Sequence, residues 1–132
     1  MKQIYTIKEA QSSDTDVVGA FFLKLLHSAT NTHIHHLQTS SYAQHKALGD
    51  FYDEIVDLVD GLVETYQGTK GIVKYPDAYE KPLIDGLAEI TALNSFVIAN
   101  RDILGDESNI QNEVDTILSL IQSTMYKLKQ LS

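Results

Sequence analysis

The run from His45 to Tyr66 constrains the fold more than any other part of the chain. His45, Leu48, Tyr52, Ile55, Val59, Leu62 and Tyr66 alternate three and four residues apart without a break. That spacing lines one face of a helix packed in a bundle. Proline would interrupt such a pattern, and the two prolines, Pro76 and Pro82, both fall in one central stretch. Long helices are expected on either side of it. No segment alternates with the period of two that a half-buried strand requires.

Four helices follow. The first is expected from about Thr15 to Leu37, behind Asp14 as its cap, with Val18, Phe21, Phe22, Leu25, Ala29 and His36 on one stripe. The second runs from about Ser41 to Gln67, ended by Gly68 and Gly71. A long connection, Gly68 to Lys81, precedes a third helix opening at Pro82, a residue suited to a first turn. That helix carries Leu87, Ile90, Asn94, Val97 and Ile98 to about Ile103, and Gly105 stops it. The last begins at Ser108, with Gln111 completing a capping box, and buries Ile110, Val114, Ile117, Leu118, Ile121, Met125 and Leu128. The expected fold is all-α: one four-helix-bundle domain over residues 14–132 after an N-terminal segment, residues 1–13. The long link between helices two and three points to a ferritin-like bundle, with a simple up-down bundle as the alternative.

A chain of 132 residues with 43% apolar content can build one real core. Its 18 acidic and 10 basic residues leave a net charge of −8, which repels nucleic-acid phosphates and anionic lipid. The absence of cysteine excludes disulfides and thiolate metal sites. "MKQIYTIKEAQSSD" has no apolar core of the signal-peptide kind, and "VVGAFFLKLL" is too short, and interrupted by Lys24, to span a bilayer. A cytoplasmic protein that uses neither membrane nor nucleic acid is expected.

Four of the five histidines crowd into "THIHHLQTSSYAQH", the bend between the first two helices. At about 100° per residue His36 falls at the centre of the first stripe, His33 about 60° beside it, and His35 well off it, facing solvent. His45 lies at the edge of the second stripe. Asp53, Asp57, Asp60 and Glu64 line the adjacent flank. Imidazole with carboxylate suits iron, zinc or manganese. The bland alternative is a hydrogen-bonded core histidine beside a solvated acidic face. An internal di-iron centre needs Glu-x-x-His pairs, and no histidine here has an acid three residues before it.

The segment from His33 to Glu64 resembles the Dps family, ferritin-like cages that oxidise and store iron. His33, His45, Asp60 and Glu64 stand at the family's spacings, and "HKALGDFYDEI" is similar to its second-helix opening. By residue context "HLQ" at His36 looks more like the family's first histidine, so His36 and His33 are both candidates. The resemblance implies a homo-oligomer, at least a dimer and at the upper limit a dodecameric cage. In it His33 or His36 and His45 of one copy face Asp60 and Glu64 of another, and iron(II) is oxidised there in a ferroxidase-type reaction. This sequence departs from the family at Gly49, where a ligand aspartate is usual, in having no tryptophan, and in lacking a basic tail. The chain, "SNIQNEVDTILSLIQSTMYKLKQL" included, is also similar to an uncharacterised family of tailed-bacteriophage proteins, which would place it in a host cytoplasm.

Overall fold

The computed structural model describes residues 14–131, so the expected N-terminal segment, residues 1–13, lies outside the described residues. Among these there are four α-helices and no strand: α1 (Asp14–Gln38), α2 (Tyr42–Lys70), α3 (Gly86–Asn100) and α4 (Ser108–Gln130). A 3-10 turn, Arg101–Leu104, joins α3 to α4.

The helix ends show which local signals govern. Ser41 caps α2, its side chain accepting from the Gln44 N–H at 3.2 Å. The helix passes through Gly68 and stops only at Gly71, whose φ of +88° suits glycine alone. α3 does not open at Pro82. Asp85 caps it instead, Oδ1 accepting from the Ala88 N–H at 2.9 Å, because a carboxylate can satisfy a free amide where proline merely lacks one. The expected capping box at Ser108 does not form, since Glu107 is the cap residue and its side chain makes no capping bond. Gln111 donates instead to the Arg101 and Gly105 carbonyls at 3.0 and 2.7 Å, tying the 3-10 turn to α4.

One apolar cluster holds the helices together, with Phe21, Phe22, Phe51, Leu48, Ile55 and Ile121 fully buried. α1 packs on α2 and α3, and α4 packs on the same two. Contacts at the helix ends fix the directions. His35 near the end of α1 meets Glu89 at the start of α3, so these two are antiparallel. Lys70 at the end of α2 meets Glu107 just before α4, so these are antiparallel too. Gly86 at the start of α3 sits against Leu48 near the start of α2, so α2 and α3 run the same way. An up-down arrangement does not give this, and the chain must travel back along the helices between α2 and α3.

Residues 71–85 make that return, and α1 is their track. A Cβ on Gly19 would lie 1.9 Å from the Lys74 carbonyl oxygen, so only glycine lets the connection touch the helix there. Further on, Glu80 pairs with Lys24, and Asn31 donates to the Glu80 carbonyl at 3.0 Å. Tyr79 donates to Asn31 Oδ1 at 3.2 Å. α1 therefore buries a second, polar face that its apolar stripe did not reveal, including Ser28, Asn31 and Thr32. Ile98, expected in the core, is 53% exposed, because α3 is apolar almost all round and its periodicity cannot single out one face.

Candidate functional site

The histidine-rich bend becomes a ring cluster where the end of α1 meets the start of α2. Capping by Ser41 starts α2 after a link of only three residues. The tight joint brings His36 and His45 together, their rings stacked with centroids 3.7 Å apart and planes 18° from parallel. Their bonds are reciprocal. His36 Nδ1 donates to the His45 carbonyl at 2.6 Å, and His45 Nδ1 donates to the His36 carbonyl at 2.8 Å. A carbonyl can only accept, so both Nδ1 atoms carry a proton, and the position left for a lone pair on each ring is Nε2. Gly49 makes room for this arrangement, since a Cβ there would come within 3.1 Å of His36 Cε1.

His33 joins the cluster from the exposed side. Its ring stacks on Tyr52 at 4.1 Å, and Tyr52 also meets His36 edge-on at 5.2 Å. The two candidates from α1 thus take different partners, His33 on Tyr52 and His36 on His45. His36 is half-buried in the α1–α2 seam rather than at the centre of the core. Its position beside α2 reflects the local joint more than the helix-wide stripe.

The acids stand elsewhere. Asp60 and Glu64 are both exposed on α2, about 22 and about 28 Å along the helix axis from His45 at 1.5 Å per residue. Asp60 lies near Tyr75, whose hydroxyl is pushed above its ordinary pKa by burial first and by that carboxylate second. Among the described residues no group of three histidines or acids converges as a metal site. The stack limits what one ion can do. A metal sits about 2.1 Å from a ligating nitrogen, in the plane of its ring. Two nearly parallel planes 3.7 Å apart cannot share one ion at that distance, so each ring would serve a different ion.

His35 overturns the expectation of a solvent-facing residue. It is 5% exposed, and its Nε2 lies 3.1 Å from Glu89 Oε1. The same carboxylate accepts the Leu83 N–H at 2.7 Å and the Asn31 amide at 3.4 Å. The reason is the second buried face of α1, against which α3 and the connection pack. One signal could have found this pair, because Glu89 is the sole charged residue between Gly86 and Asn100. An acid alone on an apolar helix calls for a buried partner.

These features define the class: an all-helical chain of four helices, with α2 and α3 parallel and a cluster of imidazole and tyrosine rings at the α1–α2 joint. Within that class the chain belongs to a family of unknown function, DUF5856, which matches residues 36–128. A protein of Enterobacteria phage T4, described as an uncharacterized 14.6 kDa protein in the mobD-ri intergenic region, is 26% identical over 128 residues. That similarity covers 90% of this chain and 93% of the phage protein. No solved structure matches the chain at a significant level. No helix among the described residues is long and apolar enough to cross a membrane.

Proposed function

We propose that this chain is a ferritin-like bundle that binds iron at an interface between two copies, acting in the host cytoplasm of a phage-infected cell. In this reading iron(II) is the substrate, and zinc or manganese can take its place in binding. One copy offers His45 and His36 or His33, and a second copy brings Asp60 and Glu64. The observation that carries the reading is the reciprocal Nδ1 bonding of His36 and His45, which holds both rings in the tautomer a metal ligand needs. The antiparallel α1–α2 pair, the parallel α2 and α3 and the return along α1 support the ferritin-like reading. Within one chain His45 and Asp60 are too far apart to share an ion, which is why the acids must come from another copy.

A complementation experiment tests the sharing. His45→Ala and Asp60→Ala should each abolish binding of iron(II) or zinc with unchanged helical content. Mixing the two variants under exchange conditions should restore about a quarter of the wild-type sites, because half of the mixed pairs' sites are intact. No restoration, with both variants folded, contradicts a shared site.

One observation favours a second reading, a non-catalytic helical module that binds another protein. Both Nδ1 atoms are spent on closing the α1–α2 joint, a structural use that needs no metal. In that reading His36→Asn lowers stability, and wild-type protein takes up no metal at all.

A further inference from the structure

Where the 71–85 connection crosses the seam between α1 and α3, the three do not close completely. They leave a cavity of about 20 Å³, room for one group the size of a water molecule. Leu23, Leu93 and Phe96 give it an apolar wall, and Lys24, Glu80 and Glu89 bring charge to it. Leu23 and His27 are half-buried, so the cavity opens to solvent beside them. Glu80 has an unmet need there. Its Oε1 pairs with Lys24, but its Oε2 is buried without a partner, the sole such side-chain atom among the described residues. A buried acceptor is costly unless something donates to it.

We propose that this cavity takes the ammonium head of a small primary amine, with Glu80 Oε2 as its first acceptor. The groups still unspent carry the argument. Lys24 is used on Glu80 Oε1, and the Asn31 amide on the Glu80 carbonyl at 3.0 Å and Glu89 Oε2 at 3.4 Å. Ser28 gives its proton to the Leu25 carbonyl at 2.6 Å, which leaves its oxygen only lone pairs to offer. Burial, and then Lys24, lower the pKa of His27, which favours the ring form that keeps a lone pair. What remains is mostly acceptors. An ammonium has three donors and no acceptor, so it is the head group that this set lacks.

Charge separates an ammonium from a water molecule. The fixed charges of the lining are the Glu80 and Glu89 carboxylates and the Lys24 ammonium, a surplus of one negative. A cation balances that surplus in a partly buried place, and water does not. An anion would meet acceptors and carboxylates, and is excluded. The two Glu80 oxygens divide the work, Oε1 on Lys24 and Oε2 on the ligand, so the pair that ties the connection to α1 survives binding. Size limits the ligand to one ammonium group in the cavity, with a short alkyl chain leaving along Leu23. So little buried surface should give a dissociation constant on the order of millimolar. No residue of this site takes part in the proposed iron site.

Titration of the full chain with butylammonium chloride at constant ionic strength, followed by amide NMR shifts, tests the proposal. Wild-type protein should show saturable shifts centred on Ser28, Ala78 and Leu93, which border the cavity. Glu80→Gln should weaken binding at least about tenfold, because it replaces a carboxylate oxygen by a donor. That change also touches the pair holding the connection, so Ser28→Ala gives an independent reading, with a loss of about threefold. Glu64→Gln, far away on α2, should leave the affinity unchanged. Tetramethylammonium, which has no N–H, and butanol, which has no charge, should leave the cavity amides where they are. Shifts that fail to saturate at high millimolar amine overturn the proposal and mean that the cavity holds water only. An equal response to tetramethylammonium or butanol overturns it too, as does full affinity in both Glu80→Gln and Ser28→Ala.

Discussion

Glu89 is the residue on which most depends. Its carboxylate takes bonds from His35, from the Leu83 backbone and from Asn31, so one side chain joins α1, the connection and α3. Removing it takes away the carboxylate that the buried His35 imidazole and the Leu83 N–H bond, while Asn31 keeps its bond to the Glu80 carbonyl. Glu89→Ala should therefore lower unfolding stability by about 3 kcal/mol, and Glu89→Gln by clearly less, because glutamine can still accept. Urea denaturation checks both, and equal losses would contradict the hydrogen-bond account. His27 is a second residue with a readable consequence. Burial, and then the Lys24 ammonium, hold its pKa below the ordinary imidazole value. Its neutral form is favoured in the folded state, so the stability it contributes is present above the unfolded value of about 6.5 and is lost as pH falls through the lower folded value. Replacing it by Gln should flatten the stability profile below about pH 6.5, measured against wild type in the same buffers.

Among the elements, the 71–85 connection decides the topology, and Gly19 is what lets it lie on α1. Gly19→Ala would force a methyl group onto the Lys74 carbonyl. The connection must then lift, at a cost of about 1–3 kcal/mol, seen as a lower denaturant midpoint. An unchanged midpoint would mean that this segment does not sit where the structure has it. The elements also show how far the sequence could be read. Apolar spacing located α2 and α4 well, because each has one clear buried face. It placed α3 too early and misjudged Ile98, because a helix apolar all round gives the period nothing to discriminate. It turned His35 outwards, because a wheel drawn for one apolar stripe cannot register a second face made of Ser28, Asn31 and Thr32.

At the scale of the whole molecule, the ring cluster and the acids belong to different ends of α2. The nearness of His36 and His45 was readable from the bend, since Ser41 announces the helix start that brings them together. Their stacking was not, because it depends on the room left at Gly49 and on two backbone carbonyls that no spacing rule describes. In the proposed site Asp60 and Glu64 meet these rings from a second copy. In the proposed assembly, copies of this bundle hold metal through those residues. The most direct measurement is the metal content of purified protein, loaded aerobically with iron(II) or with zinc and passed through a desalting column. Wild-type protein should retain at least one ion per chain, lost in His45→Ala and in Asp60→Ala. Wild-type protein emerging free of metal would contradict the proposed assembly.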